Sequence, residues 1–275
     1  MALKKLTQAQ VDEYERDSFV RCVDVLTPSE VAEYRKGLED YEAKTGRTFG
    51  FPEKSKSHLL FDWADSIVNH PQVLDAVEDL IGPNILAYHA TLHGKEPGTN
   101  AFVLWHQDDW YFKLDPQEHV TAWVALSEAS ELAGCMRMIP GSQQNGLVPH
   151  TQGPTDGNII RLALGIQGRW SESDGVPVPL KAGQASLHNT LTVHASGPNR
   201  NTDRRIGLGI SYIPTHVKPR TEPRSTALLV RGVDTHNNFH VESRLDRKSD
   251  WTKRQIAHKT AYDLYLKAAR IPEGA

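Results

Sequence analysis

The sequence predicts a mainly β fold with helical additions, in which short antiparallel strands form a two-sheet jelly roll. Two observations lead to this prediction. Apolar residues follow helical spacing over about the first 82 residues, and from Asn84 the pattern changes to short strand-like runs separated by turns. We therefore expect one domain over residues 1–275, in which a helical part at about 1–82 and a helix at about 250–270 brace a jelly-roll core at about 83–232.

The N-terminal helices have recognisable start and stop signals. Thr7 to Gln10 resembles a capping box, and Thr27-Pro28-Ser29-Glu30 combines a Thr cap, a Pro in the first turn and a Glu at the third position. Gly46 is a suitable end for the second helix. Further helices are expected at 58–68 and 71–82. The apolar stripe of the second helix is typical of a core-facing side and consists of Val31, Tyr34, Leu38 and Tyr41.

The strand-like runs fill the middle of the chain. Residues 145–174 are predicted as long loops, and a loop of that length in a compact domain is a lid or a substrate wall. The closing helix is expected at 254–269, with Ile256, Tyr262, Tyr265 and Leu266 as its apolar positions. Strands are expected at 19–23, 85–93, 101–106, 119–126, 135–139, 159–164, 185–187, 192–194, 204–213 and 227–231.

Composition narrows the function classes. The 275 residues carry a formal net charge of −3, with Lys and Arg dispersed along the chain, so nucleic acid and anionic membrane are not expected partners. Two Cys give no disulfide framework, and no apolar run reaches the length of about 18 residues typical of a membrane span. A cytoplasmic location is therefore expected. The oligomeric state stays open, with a homodimer as one option.

The stretch Leu104–Tyr111 contains the only His-x-Asp of the chain, His106-Gln107-Asp108. Alternate side chains of a strand share a face, so His106 and Asp108 would point the same way with Cα atoms about 6.6 Å apart. An imidazole and a carboxylate at this spacing can bind one metal ion. They would supply two of the three ligands of the 2-His-1-carboxylate site found in non-haem Fe(II) oxygenases.

A candidate for the missing histidine is His194, which lies 86 residues after Asp108 and is followed by Arg204-Arg205 at the head of the next predicted strand. Most of the 13 His are expected to be surface or hydrogen-bonded structural residues, and a lone His-x-Asp is a weak signal. The ordered set of His-x-Asp, distant His and following Arg is what predicts a metal site.

Four motifs together resemble the phytanoyl-CoA dioxygenase family over roughly residues 12–215. They are Trp105-His106-Gln107-Asp108, the run Ala122–Leu126, Pro140-Gly141-Ser142, and His194–Asn199 followed by Arg204-Arg205. The resemblance implies a cupin-like double-stranded β-helix and a dioxygenase (hydroxylase) that uses Fe(II), 2-oxoglutarate as cosubstrate and O2. The family's metal ligands carry over as His106, Asp108 and His194.

The resemblance also implies cosubstrate contacts. The family arginine that holds the distal carboxylate of 2-oxoglutarate carries over to the pair Arg204-Arg205. Lys95 and Ser196 occupy places where the family can add contacts, and Gln107 and Trp123 are expected beside the iron. The implied cosubstrate contacts are therefore Arg205, Ser196, Lys95, Gln107, Trp123 and Arg204.

Strand parity separates the two arginines. Arg205 shares a face with the small residues Gly207, Gly209 and Ser211, whereas Arg204 shares a face with bulky apolar residues. A cosubstrate pocket needs room beside its anchor, so Arg205 is favoured, and its planar fork can bind a carboxylate through two hydrogen bonds. Arg204 is expected in a surface or structural ion pair.

The implied reaction is the oxidative decarboxylation of 2-oxoglutarate to succinate and CO2, coupled to hydroxylation of a C–H bond. Related halogenases lack the carboxylate ligand and bind chloride in its place, so Asp108 favours hydroxylation. Candidate substrate contacts near the metal motifs are Asp109, Trp110, Tyr111, His188 and Asn189, with His150 on the long loop. Each of them could equally be structural.

The substrate itself stays open. Small bacterial relatives act on aminophosphonates, amino acids and natural-product intermediates, and a Trp and a Tyr beside the metal would suit a quaternary ammonium compound through cation–π attraction. We expect a small polar molecule as the partner. Two other classes are retained as alternatives: a non-catalytic metal-binding jelly-roll module and a zinc-dependent hydrolase with the same ligand types.

Overall fold

The structure, a computed structural model, describes residues 2–270. The α-helices are Gln8–Asp17 (α1), Pro28–Thr45 (α2), Asp62–Val68 (α3), Pro71–Ile81 (α4), Asp109–Phe112 (α5) and Trp251–Ala269 (α6), with 3₁₀ turns at Ser57–Leu59, Ser142–Asn145, Arg161–Ala163 and Glu172–Asp174. The strands are Phe19–Asp24 (β1), Ile85–Lys95 (β2), Val103–His106 (β3), Leu114–Asp115 (β4), Val120–Ala125 (β5), Met136–Met138 (β6), Thr151–Gln152 (β7), Leu164–Gly165 (β8), Val176–Val178 (β9), Gln184–Asn189 (β10), His194–Ser196 (β11), Arg205–Pro214 (β12), Lys218–Pro219 (β13), Thr226–Arg231 (β14) and His240–Val241 (β15).

The helix starts and the end of α2 are where local chemistry places them. Thr7 and Gln10 form a complete capping box on α1, and Thr27 and Glu30 form one on α2. Gly46 ends α2 with φ 66°, a left-handed conformation that glycine adopts without steric cost. The predicted core face of α2 is buried at Val31, Tyr34 and Leu38 and partly buried at Tyr41.

The strands form two main sheets, which confirms the predicted jelly roll. The larger sheet has seven strands in the order β1-β10-β5-β12-β2-β14-β15, and the smaller has four in the order β3-β11-β6-β9. Neighbours in both sheets are antiparallel, except that β14 and β15 run parallel. Neighbours such as β5 and β12 are far apart in sequence, as expected of strands that alternate between two sheets.

The larger sheet separates two cores because each of its strands alternates its side chains. On β12, the residues Ile206, Leu208, Ile210 and Tyr212 pack with α2, α3 and α4 in the main core. The other face of the same sheet meets the smaller sheet, where Trp123 and Phe19 pack against Met136, Met138 and Val178. This second, thinner layer leaves space between the sheets, and the candidate site lies there.

The helix α6 and a buried ion pair attach the C-terminal part of the chain to the larger sheet. Tyr262, Tyr265 and Leu266 of α6 are buried. The ammonium of Lys56 contacts the Glu242 carboxylate and also donates to two backbone carbonyls, while His58 bonds the second carboxylate oxygen at 2.8 Å. Breaking a buried pair by removing one partner typically costs about 3–5 kcal/mol, so these contacts hold residues 56–58 firmly.

Several predicted elements need correction. The helix expected at 58–68 is a 3₁₀ turn followed by α3, because Leu60 and the extended Phe61 both enter the main core. The strand expected at 159–164 begins only at Leu164, where it pairs with β7. The strand expected at 192–194 starts at His194, since residues 189–192 form a turn closed by the Thr192 N–H. Ile256, expected as an apolar contact of α6, is 63% exposed.

Within residues 2–270, none of the helices combines the length and the apolarity needed to cross a bilayer.

Candidate metal centre and active site

His106, Asp108 and His194 converge in the space between the two sheets. The two histidines are register partners on the adjacent strands β3 and β11. Asp108 Oδ1 lies 3.6 Å from His106 Nε2 and 3.9 Å from His194 Nε2, and one ligand atom from each of the three residues lies within 4.8 Å of the others. Two imidazoles and one carboxylate at this spacing form a facial set suited to a divalent transition metal.

The path that brings Asp108 to this point differs from the strand-parity expectation. β3 ends at His106, and Asp108 has φ −60° and ψ −35°, helical values that lead into the single turn α5. The N–H groups of Tyr111 and Phe112 both donate to the Asp108 carbonyl. The chain therefore turns immediately after β3, and the turn, not strand alternation, directs the carboxylate toward the two imidazoles.

Hydrogen bonds fix both imidazoles in the tautomer that a metal needs. His106 Nδ1 donates to the carbonyls of Leu104 at 2.9 Å and His194 at 3.1 Å, and His194 Nδ1 donates to the Thr192 carbonyl at 2.9 Å. In each ring the proton therefore resides on Nδ1, and the lone pair of Nε2 faces the site. The residues present thus fit a metal ion without rearrangement.

Charge and burial support the same conclusion. Burial and the neighbouring His106 and His188 hold the pKa of His194 well below its usual range, so the ring is neutral at pH 7 and can act as a ligand. Burial would raise the pKa of Asp108, but His106, His188 and His194 together keep it well below its ordinary value. The carboxylate is therefore ionised, as metal binding requires.

A short chain of hydrogen bonds from β5 of the larger sheet orients Asp108. Thr121 Oγ1 donates to Asp108 Oδ2 at 2.6 Å and lies 3.0 Å from His119 Nε2. Because the single hydroxyl proton goes to the carboxylate, His119 must donate to Thr121, which places its proton on Nε2. Burial lowers the pKa of His119 to about 4, so the ring stays neutral in this role.

Thr121→Val is expected to weaken Fe(II) binding by about 10–100-fold, because outer hydrogen bonds to a metal ligand typically have this effect when they are lost. Valine keeps the shape of threonine and removes only the hydroxyl that holds Asp108. Thr121→Ser keeps the hydroxyl and is expected to bind iron nearly as the wild type does. Equilibrium dialysis against buffered Fe(II) measures both variants, and equal affinities for Val and Ser would contradict the assigned role.

Arg205 lines a cavity of about 450 Å³, its open mouth included, that reaches the three candidate metal-binding side chains. We call it the Arg205 compartment; its lining includes Arg205, Ser196, Trp123, His188 and His93 together with the metal-binding residues. Arg205 is 2% exposed, and no carboxylate of residues 2–270 lies within ion-pair distance of it. Burial lowers its pKa to about 10, so it remains charged at pH 7.

Trp123 and Gly207 shape the position of Arg205. The guanidinium carbon lies 4.5 Å from the centre of the Trp123 ring, within the range of cation–π attraction. The same indole covers Gly207, where a Cβ would lie 2.1 Å from a ring carbon. Glycine is therefore required at 207 for the indole to lie beneath the guanidinium.

Lys95 and Ser196 form a pair at the edge of the Arg205 compartment. Lys95 Nζ donates to Ser196 Oγ at 2.6 Å and to the Ser196 carbonyl at 3.2 Å. Burial and the nearby Arg205 lower the pKa of Lys95 to about 6. Ser196 lines the compartment, whereas Lys95 lies behind it and positions the serine.

Two residues named as cosubstrate contacts lie elsewhere. Arg204 forms two hydrogen bonds with the Glu42 carboxylate and one with Glu96, and it lines neither part of the metal cavity. The Gln107 side chain donates to the carbonyls of Gly146 and Leu191 and accepts from the Val148 N–H. Gln107 is next to His106 and points to the opposite side of the chain, away from the cavity, so its observed role is to attach the loop that follows Gly146.

A second cavity of about 770 Å³, its open mouth included, is lined by two of the three candidate metal ligands, His106 and Asp108. We call it the Lys54 compartment. It shares His93, His106, Asp108, Thr121 and Ile160 with the Arg205 compartment. Its remaining wall combines loop residues with sheet and α6 residues, among them Phe51, Lys54, His89, Phe112, Ile159 and Tyr265.

The predicted substrate contacts divide into two groups. Tyr111 lines the Lys54 compartment and donates its hydroxyl to the Leu164 carbonyl at 2.7 Å, while His188 lines the Arg205 compartment with Nε2 3.4 Å from Asp108 Oδ2. The others do not line either compartment. Asp109 is fully buried and bonded to Gln117 and Arg220, Trp110 stacks on His150 at 4.6 Å, and Asn189 closes a turn through the Leu191 N–H.

Several residues that line the two compartments were not predicted from the sequence, although the pattern of polar residues along two strands could have indicated some of them. His89, Thr91 and His93 are alternate polar residues in the predicted strand β2, and Thr121 shares its parity with Trp123 on β5. Polar residues at every second position of a buried strand indicate a face turned toward a site. Lys54 and Tyr265 come from a loop and from α6, and no local pattern connects them with the metal motif.

Comparison with known proteins agrees with this geometry. The sequence profile of the family described as phytanoyl-CoA dioxygenase (PhyH) matches residues 14–207. The probable alpha-ketoglutarate-dependent hypophosphite dioxygenase of Stutzerimonas stutzeri is 29% identical over 184 residues, which cover 65% of this chain and 63% of the relative. The peroxisomal phytanoyl-CoA dioxygenase of Homo sapiens is 28% identical over 190 residues, covering 66% of this chain and 56% of the relative.

Similarity to a solved structure extends over nearly the whole chain. The apo form of the non-heme monooxygenase ThoJ superposes with a TM-score of 0.83 at 32% identity, covering 95% of this chain and 97% of that protein. The matches to the two curated dioxygenases, in contrast, span only 63% and 56% of their lengths. With the family profile covering residues 14–207 and the His-Asp-His set inside that range, this chain belongs to the phytanoyl-CoA dioxygenase family.

Proposed function

We propose that this protein is an Fe(II)- and 2-oxoglutarate-dependent dioxygenase that hydroxylates a C–H bond of a small polar molecule and releases succinate and CO2. The observation that carries the proposal is that the His-Asp-His set lines a compartment containing a buried arginine without a carboxylate partner, while His106 and Asp108 also line a second compartment. Iron bound by this set would supply O2 activation, with 2-oxoglutarate as the two-electron donor.

Each side of the cavity then has a role. His106, Asp108 and His194 would hold the iron. Arg205 would bind the distal carboxylate of 2-oxoglutarate through its planar fork, with the Trp123 ring keeping the guanidinium in place. The Lys54 compartment would admit the substrate and present its C–H bond to the metal side, where Thr121 and His93 form the common wall.

The substrate class and the cellular location belong to the same proposal. A small polar molecule such as an aminophosphonate, an amino acid, a quaternary ammonium compound or a natural-product intermediate fits the size of the Lys54 compartment. The two cysteines, Cys22 and Cys135, are free thiols, which suits a reducing compartment such as the cytoplasm.

One experiment tests the reaction class. Fe(II) and then 2-oxoglutarate are added anaerobically to the purified protein, and a metal-to-ligand absorption band is followed; O2 and a panel of small polar compounds are then supplied while succinate is measured. A band followed by compound-stimulated succinate is expected. Tight zinc binding with hydrolysis and no band would indicate a zinc hydrolase, and metal binding without a band or turnover would indicate a non-catalytic module.

A further inference from the structure

We propose that the substrate is a small organic anion whose carboxylate or phosphonate group pairs with Lys54. The proposal rests on the function proposed above and adds a substrate class to it. Two charged groups would then divide the cavity between them: Arg205 binds the cosubstrate on one side of the metal, and Lys54 binds the substrate on the other.

Lys54 is a cation without a carboxylate partner. Its Nζ lies 4.4 Å from the centre of the Phe51 ring, and no carboxylate of the described chain comes within ion-pair distance of it. The side chain is partly buried, and burial lowers its pKa to about 8, so most molecules still carry the charge at pH 7. A partly desolvated ammonium of this kind gains from an anion that enters the compartment.

The neighbouring Lys56 provides a comparison, because it is a lysine of the same loop with a structural role. Lys56 is fully buried, paired with Glu242 and bonded to two backbone carbonyls. Lys54, two residues earlier, faces the compartment instead and has no such partner. The loop therefore contains one lysine that fixes its position and one that is available to a ligand.

The backbone around Lys54 is held in place, so the ammonium is presented from a defined point. The Lys54 carbonyl accepts from the Leu92 N–H at 2.9 Å, the Lys54 N–H donates to the Gly50 carbonyl at 2.9 Å, and Ser55 forms a bridge with Thr91 of β2. This attachment places Lys54 beside the strand that carries His93. His93 in turn lines both compartments next to the metal-binding residues.

The rest of the compartment disfavours a cationic substrate. Among the described lining residues the single carboxylate is Asp108, which belongs to the metal site. Besides His106 of the metal site, the wall contains the imidazoles of His89 and His93; burial holds both pKa values well below the usual range, so these rings are neutral hydrogen-bonding groups. A quaternary ammonium group would be repelled by the Lys54 ammonium, and apart from Asp108 of the metal site the described lining residues offer no carboxylate to attract it.

The side chains that line the Lys54 compartment also indicate what kind of carbon skeleton the substrate has. Phe51, Phe112 and Tyr265 contribute aromatic rings, and Ile159 and Ile160 of the long loop contribute aliphatic surface. An apolar or planar carbon skeleton next to the anionic group would bury against these side chains while its C–H bond faces the metal.

The test compares matched probes in four proteins. Wild type, Lys54→Met, Lys54→Arg and the exposed control Lys36→Met are loaded anaerobically with Fe(II) and saturating 2-oxoglutarate, which fills the Arg205 compartment. Calorimetry then measures binding of 3-phenylpropanoate, 2-phenylethylphosphonate, 3-phenylpropanamide and 3-phenylpropylamine, and of the corresponding cyclohexyl and butyl series. The absorption band of the 2-oxoglutarate complex is recorded in every sample as a check on fold and cosubstrate binding.

In the wild type at least one anion should bind tenfold or more tightly than its amide and its amine. Lys54→Met should reduce that affinity by at least tenfold, while Lys54→Arg and Lys36→Met stay within about threefold of the wild type. A preference for carboxylate or for phosphonate identifies the anion, and either one supports the proposal.

Two results would overturn this inference: no anion binds more tightly than its amide in any series, or Lys54→Met binds the anions as the wild type does. The absorption band distinguishes them from failure of the proposed function. If the band is missing from the wild type, the 2-oxoglutarate assignment is wrong; if the band is intact and the anion preference is absent, only the role of Lys54 is wrong.

Discussion

His194→Ala is expected to abolish stable Fe(II) binding and to reduce turnover by more than about 100-fold. Losing an outer hydrogen bond to a metal ligand costs up to about 100-fold, and losing the ligand itself should cost more. The imidazole supplies one of the three ligand atoms that lie within 4.8 Å of one another; His188, whose Nε2 lies 3.4 Å from Asp108 Oδ2, is not part of that set. The fold should survive, because the main core and the inter-sheet core are apolar and closed without an ion.

Iron content after gel filtration, the thermal unfolding midpoint and succinate formation provide the three measurements for this variant. His216→Ala is the matched control, since the His216 side chain is exposed and forms an ion pair with the exposed Glu118, far from the metal motif. A His194→Ala protein that retains one iron per chain and full activity would show that the metal lies elsewhere. A protein that fails to fold would show instead that the ring has a structural role.

Arg205→Ala is expected to weaken 2-oxoglutarate binding by between about tenfold and a few thousandfold. A hydrogen bond to a charged group is worth about 1.5–3 kcal/mol, and removing one partner of a buried pair costs about 2–5 kcal/mol. Each 1.4 kcal/mol corresponds to a factor of ten in the binding constant. Arg205→Lys should recover only part of the affinity, because an ammonium restores the charge without the planar fork.

Arg204→Ala is the natural control for this experiment, because the two arginines are adjacent and equally charged. Arg204 pairs with Glu42 and Glu96 outside the cavity, so its loss should lower the unfolding midpoint slightly and leave 2-oxoglutarate binding within about twofold of the wild type. Titration of 2-oxoglutarate into each anaerobic Fe(II) protein measures the difference. Weaker binding in Arg204→Ala with normal binding in Arg205→Ala would reverse the assignment of the two residues.

The sequence was sufficient where a local rule governs the structure. The capping boxes at Thr7 and Thr27 placed the first two helices, and the alternation along β12 put Arg205 and Gly207 on the cavity side. In both cases the deciding interactions lie within a few residues of each other. The same holds for the tendency of Gly46 to end a helix.

Local rules failed where the deciding contact is distant. In the turn after His106, the Asp109 carboxylate accepts from the Leu114 N–H and binds Gln117 and the distant Arg220, and Trp110 stacks on His150 away from the cavity. Lys54 reaches the site because its loop pairs with β2. Such contacts between separate segments have no periodic signature in the chain.

The strand β12 also has a consequence for the fidelity of folding. All ten of its residues, Arg205–Pro214, are buried, with charge and small side chains on one face and bulky apolar side chains on the other. A pairing error of one residue would exchange the two faces, bury the Arg205 charge among the helices and place Ile206 in the cavity. In that position the guanidinium would lose the Trp123 ring and enter an apolar core, so a misregistered chain would lose stability and activity together, and a stable but inactive population should not accumulate.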